Sequence, residues 1–204
     1  MERISKTGKN FEDTLACILE ENNLTQEEVI YKTGTTKKGL FKTGTVEVIV
    51  YKKNDIYEFA KNFLKEVINN LGLEVTFEIK KVEDRTVIKM YSNNNSVLIG
   101  HNGNTLKSLE NLVRQKIQLE TGLYFIISLD VENYKDKKVA RLEKIAKQTA
   151  KEVLKTKIDV HLENMNSYER RIVHNALANF KNISSKSTGE EPNRHVVISF
   201  IEEK

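Results

Sequence analysis

The sequence predicts an α+β protein built from three small modules, and three observations carry that expectation. Apolar residues recur at helical spacing in some segments and alternate with polar ones in short β-branched runs between them. Glycines cluster at a few points, Gly34 to Gly44, Gly100 with Gly103, and Gly189, and divide the pattern into units. The composition, 39% hydrophobic and 30% charged over 204 residues, is that of a globular chain able to build a core. The modules expected are β-α-β-β over 1–55, α-β-β-α-α-β over 56–131, and an α/β unit with a leading basic helix over 132–204.

The first module opens with a short strand and a helix from about Asn10 to Glu21, its stripe made by Phe11, Leu15, Ile18 and Leu19. Strands follow at 28–32 and 46–50, the second marked by its β-branched content. A unit this small is expected to pack on a neighbour or self-associate. The second module begins with a helix from Tyr57 to Asn70, with Phe59, Phe63, Leu64, Val67 and Leu71 on one face and Gly72 at its end. Strands at 75–79 and 86–91 flank a turn at 83–85. A short helical turn at 96–99 then meets Gly100-His101-Asn102-Gly103, and Asn104 is placed to cap a second helix with Leu106, Leu109, Leu112, Val113 and Ile117 inward. An apolar strand over 123–129 closes the unit. The third module starts with an amphipathic helix from Tyr134 to Thr156, followed by a strand through Ile158, Val160 and Leu162. Asn166 with Glu169 forms a capping-box pattern for a helix to about Asn179, and two strands flank Gly189 to Pro192.

The net charge is only +4, but it is unevenly placed. Residues 1–130 balance 18 basic against 18 acidic side chains, so all the excess lies C-terminal, where 135–157 alone carries nine Lys or Arg and three acids. A polyanion would be felt there first, through Lys137, Lys138, Arg141, Lys144, Lys147 and Lys151. The same lysines also serve simply to solvate an amphipathic helix. Cys17 is the single cysteine, which excludes an internal disulfide and a Cys-based metal site, and fits a small core filler in a reducing compartment. No apolar stretch approaches a membrane span, and the start lacks a signal-peptide core, so a cytoplasmic location is expected. No cofactor and no metal site is expected.

Two motifs bear on chemistry. Closely spaced glycines between helices let backbone amides approach a nucleic-acid backbone without a Cβ in the way, and the following helix N-terminus favours phosphate. By itself the spacing is common, and often only joins two helices. The whole frame, with apolar Val97-Leu98-Ile99 before the loop, a helix after it and two strands ahead, resembles a type II KH domain, which would make Gly100, His101, Asn102 and Gly103 the phosphate-clamping loop, with Lys107 following. Many such loops place Lys or Arg between the glycines; His101 and Asn102 stand there instead. The second motif is Arg170-Arg171-Ile172-Val173-His174, which sets Arg170 and His174 four apart on one helical face. A guanidinium offers a fork for phosphate and a flat face for stacking, and an imidazole can donate or stack. The bland alternative is a solvated arginine with a half-buried histidine. The segment 166–174, followed by Ser187-Thr188-Gly189-Glu190-Glu191-Pro192-Asn193-Arg194, is similar to the R3H domain, named for that Arg and His.

A KH unit directly followed by an R3H unit, behind a small module carrying Lys37-Lys38-Gly39-Leu40-Phe41, resembles the Jag family, also called SpoIIIJ-associated, KhpB or EloR proteins. That resemblance implies single-stranded RNA or DNA as ligand, with Arg170, Arg171, His174 and Arg194 at the site. Glu190 and Glu191 would repel phosphate, which assigns them to shaping the loop or pairing with Arg194. The resemblance further implies a second KH protein or a second copy as partner, a membrane-protein or division partner for Lys37, Lys38, Gly39 and Phe41, and post-transcriptional control linked to cell elongation, division or sporulation. Lys42 stands where a further glycine is common in that segment, and almost no linker separates the first module from the second. The residues leave two other classes open. One is a scaffold that docks envelope or division proteins; the other is a ribonuclease using His101 or His174 beside Arg170, against which stands the lack of a second histidine at a paired spacing.

Overall fold

In the computed structural model the described residues are 1–34, 45–82 and 85–202. They divide into two compact units, Met1–Glu132 and Asn133–Lys204. The segment with Lys37, Lys38, Gly39 and Phe41 lies outside the described residues.

The first unit opens with β1 (Ile4–Gly8), α1 (Phe11–Glu21), β2 (Val29–Gly34) and β3 (Val46–Lys52), forming an antiparallel sheet of order β1-β3-β2. Asn10 caps α1 by accepting from the Asp13 amide at 2.8 Å, and Leu15 and Ile18 pack on Val29, Val48 and Val50. Strand β3 is central and buries Val48 to Tyr51 without alternation, because both of its faces are covered. It runs directly into α2 (Lys53–Asn70), which starts four residues before the helix that the sequence pattern marks at Tyr57. The buried stripe is also rotated: Ile56, Tyr57, Ala60, Leu64 and Ile68 face inward, while Leu71 is exposed. Ala60, fully buried, is small enough to let the helix turn this face inward.

Next come β4 (Val75–Val82), β5 (Arg85–Ser92), α3 (Asn95–Ile99), α4 (Asn104–Thr121) and β6 (Ser128–Val131). The sheet order is β4-β5-β6, antiparallel in the first pair and parallel in the second, and α3 with α4 supplies the crossover a parallel pair requires. Leu98, Leu106, Leu109, Val113 and Ile117 are buried, as are Ile88, Met90, Leu129 and Val131 on the strands. The closing strand is shorter than the expected 123–129. In 123–127, Phe125 and Ile127 turn in while Tyr124 and Ile126 turn out, but the Ile127 carbonyl is taken by Arg114, whose Nε and Nη2 donate at 3.0 and 2.7 Å. A helix side chain thus replaces a ladder bond. At the C-terminus of α4, Gly122 adopts a left-handed conformation and Lys32 Nζ donates to the Thr121 carbonyl, tying the β1-β3-β2 module to this helix.

The second unit contains α5 (Tyr134–Thr156), β7 (Val160–Asn164), α6 (Ser167–Leu177), β8 (Ile183–Thr188) and β9 (His195–Phe200), with sheet order β7-β9-β8, all antiparallel. Ala146, Ala150 and Val153 of α5 and Val173 and Leu177 of α6 pack on Val196 and Ile198. The capping box forms: Asn166 Oδ1 accepts from the Glu169 amide at 3.1 Å and Glu169 Oε2 from the Asn166 amide at 3.0 Å. Ile158, expected in the strand, lies before β7 and is exposed.

Candidate nucleic-acid interface

The Gly100–Gly103 loop is made of backbone. Gly100 has φ +70°, and a Cβ there would lie 2.0 Å from Thr105 Oγ1 and 3.0 Å from the Thr105 nitrogen, so no side chain fits. His101–Gly103 forms a single 3-10 turn closed by the Gly103 amide on the Gly100 carbonyl at 3.2 Å, with Asn102 and Gly103 at φ 54° and 81°. Gly103 is the N-cap of α4; Asn104, expected to cap it, is the first helical residue. With a glycine as cap and no acid in the first turn, the positive end of the helix dipole is left open to an anion. His101, Asn102 and Lys107 are exposed around this end. The arrangement suits an anion held by amides rather than by a cation.

The second motif is built the opposite way. Arg170, on the inner face of α6, is buried, and its Nη1 donates to the Met165 carbonyl at 2.5 Å and to Glu191 Oε1 at 2.9 Å. His174, one turn on, is half-buried between α6 and β8. Its Nδ1 lies 2.8 Å from Ser185 Oγ and its Nε2 2.9 Å from Ser187 Oγ. Burial, and then the positive charge of Arg170, lower its pKa from 6.5, so the neutral ring predominates at pH 7. One ring nitrogen therefore donates to a serine and the other accepts. Arg171 and Arg194 are exposed. Glu191 pairs with Arg170, where the sequence pattern offers Arg194.

The basic helix is mixed. Lys138 is committed to packing: it bonds Glu169 and lies 5.7 Å from the Tyr134 ring centroid. Lys147 is only loosely paired, 3.9 Å from Glu143. Lys137, Arg141, Lys144 and Lys151 present their side chains toward solvent to differing degrees, and Lys144, Lys147 and Lys151 line a shallow groove with Ala140, Glu143 and Gln148.

Two features escape sequence reasoning. Ser185 and Ser187 are two apart on one strand, which is the signal that both face His174. His161 and His195 meet Nδ1 to Nε2 at 2.9 Å across the β7/β9 pair, and since His195 Nδ1 faces the Asn193 carbonyl at 3.0 Å, it is the donor there. Thirty-four residues separate these rings, and no local pattern announces the contact. Among the described residues no three His, Cys, Asp or Glu side chains gather to hold a metal, and no helix is long and apolar enough to cross a membrane.

A KH-domain family model matches residues 60–138 and an R3H-domain model matches 140–200. The chain is 33% identical to a protein of Clostridium symbiosum named RNA-binding protein KhpB, over 100% of this chain and 94% of that one. It is 30% identical to the protein of the same name from Bacillus subtilis, over 98% and 99%. A third, from Lactiplantibacillus plantarum, is 28% identical over 68% of this chain and 43% of its own length.

Proposed function

The chain belongs to the KhpB, or Jag, family, and on that premise we propose that it binds single-stranded RNA through a KH-type loop and an R3H-type surface, without catalysing a reaction on it. The observation that carries the reading is the Gly100–Gly103 loop, whose glycine is sterically obligatory and whose helix end is left uncapped by side chains. Its amides would hold a backbone phosphate, as KH loops clamp a few nucleotides. The outward-facing cations of α5 would add sequence-independent attraction, and Arg171 and Arg194 would flank the R3H contribution. Both ring nitrogens of His174 are hydrogen-bonded to serines of β8, which fixes the ring against that strand. The proposal places the protein with its RNA in the cytoplasm, acting in post-transcriptional control.

The test is fluorescence anisotropy of a short labelled RNA with the wild type, Gly100→Asp/Gly103→Asp and Arg170→Ala/His174→Ala at two salt concentrations. Both variants, if folded, are expected to bind at least tenfold more weakly. Wild-type binding no tighter than theirs sinks the reading. If about six phosphates are neutralised, log K falls with log salt with a slope of about −4. RNA recovered intact after long incubation with magnesium separates binding from cleavage.

A docking role is a second reading, favoured by Leu119, Tyr124 and Ile126, which are 82%, 69% and 69% exposed in the first unit. The partner would be a second KH protein or a second copy of this chain. Pull-down yields that do not change with RNase support it, and a monomer that retains no protein partner contradicts it.

A further inference from the structure

Arg170 already holds an anion. Its side chain is 8% exposed, and the Glu191 carboxylate that meets it at 2.9 Å is 62% exposed. A carboxylate and a phosphodiester present the same kind of anionic oxygens to a guanidinium fork. Glu191 therefore stands where a phosphate oxygen of a strand would stand if it reached Arg170. The loop between β8 and β9 delivers it there: Gly189 turns the chain at φ +85°, where a Cβ would crowd the Asn193 carbonyl at 3.1 Å, and the Asn193 amide closes on the Glu190 carbonyl at 2.8 Å.

We propose that Glu191 is a tethered competitor for Arg170 that sets the selectivity of the R3H unit, excluding lone phosphates and mononucleotides while yielding to a strand held at other points. The proposal rests on the RNA-binding reading and adds a specificity determinant to it. Its physical basis is effective concentration. A group on a short tether faces its partner at a concentration on the order of millimolar, so a free monophosphate must exceed that to displace it. A polynucleotide anchored elsewhere on the protein enjoys the same advantage and competes on equal terms. An ion pair with one partner largely in water is weak enough to exchange.

The experiment uses the full chain, a labelled 12-nucleotide RNA followed by anisotropy, uridine monophosphate as competitor, and a thermal melt of every variant. Glu191→Gln removes the competing charge; Glu190→Gln removes an equal charge one residue away. Glu191→Asp keeps the charge and withdraws it by one methylene. The expected result is that Glu191→Gln binds RNA at least threefold tighter than wild type and becomes sensitive to millimolar uridine monophosphate. Glu190→Gln changes affinity less than 1.5-fold, and Glu191→Asp falls between. Equal gains from Glu190→Gln and Glu191→Gln would show bulk charge only and overturn the proposal. Weaker binding by Glu191→Gln also overturns it, by making Glu191 a positioning partner of Arg170. If Glu191→Gln melts below the assay temperature, Glu191→Asp decides alone, and unchanged affinity and competition there count against the proposal. Absence of RNA binding in every form defeats the RNA-binding reading itself, an outcome distinct from wild-type binding that Glu191→Gln leaves unaltered.

Discussion

The Gly100–Gly103 loop and the Arg170–His174 face both carry the sequence marks of a phosphate site, yet they are built on opposite principles. The loop is defined by what is missing, a Cβ at Gly100 and a side-chain cap on α4. The Arg170–His174 face is crowded with side chains that already bond their neighbours, Arg170 to Met165 and Glu191, His174 to Ser185 and Ser187. At the first, a ligand meets backbone, with the Gly103 amide already closed on the Gly100 carbonyl; at the second, it must displace a side chain, Glu191, from Arg170. A motif of charged residues therefore says less about readiness to bind than do the partners those residues already hold.

The largest effect is expected from filling the loop. Gly100→Ala places a Cβ 2.7 Å from Thr105 Cβ at a left-handed φ, so the loss is expected at about 2 to 3 kcal/mol of stability from clash and backbone strain together. Urea titration would read it, and RNA affinity measured below the transition should fall at least tenfold. A variant as stable as wild type would mean that the loop relaxes freely and is no rigid cradle.

Next in size is His174→Gln, which forfeits at least one of the two serine bonds and is expected to cost about 1 to 2 kcal/mol. The comparison sharpens with pH. Because the folded pKa of His174 lies below its unfolded value of 6.5, the native state binds fewer protons than the unfolded one at acid pH. The His174 contribution is therefore complete above about pH 6.5 and declines as pH falls through that value toward the folded pKa. Urea melts at pH 7.5 and 5 should show the gap between wild type and His174→Gln narrowing at pH 5; a gap that widens on acidification contradicts the neutral, serine-bound ring.

Smaller still is Lys32→Met, at the far end of the helix that carries the loop. Lys32 satisfies the Thr121 carbonyl at the negative end of α4, so its loss should cost about 0.5 to 1 kcal/mol. Hydrogen exchange in the last turn of α4 is expected to quicken while the loop is unaltered. Quickened exchange at His101 to Gly103 would show that the open site depends on the remote cap.

What is legible in the sequence divides along the same line. The element order, the loop between its helices and the capping box at Asn166 rest on local patterns, and all appear in the fold. The early start of α2 is hidden because Lys53, Asn54 and Asp55 carry no apolar signal, and Ile56 gains its burial from packing with distant elements. The shortened β6 is hidden because alternation at 123–127 is genuine, while the bond that replaces its ladder comes from Arg114 on another element. Arg170 and His174 are visible as a pair, but the side chains they bond come from β8 and the loop after it, eleven to twenty-one residues on. Local pattern reveals which residues share a face, whereas long-range packing decides which of them are already engaged.

The smallest effect on stability tests the cations of α5, where the same contrast recurs within one helix. Lys138 is bonded to Glu169 and laid against Tyr134, whereas Lys144 and Lys151 lie along the open groove. Lys144→Gln with Lys151→Gln should leave stability within about 0.5 kcal/mol of wild type, since neither side chain contributes to the core. If each lysine neutralises one phosphate, the slope of log K against log salt becomes shallower by about 1.4, near 0.7 for each phosphate of a single strand left without its cation. Lys138→Gln should do the reverse, lowering stability by freeing Glu169 while leaving the salt slope nearly unchanged. An unchanged slope in the double variant would confine those lysines to solvating the helix, and a slope change in Lys138→Gln would show that its internal bond yields to RNA as readily as an exposed cation does.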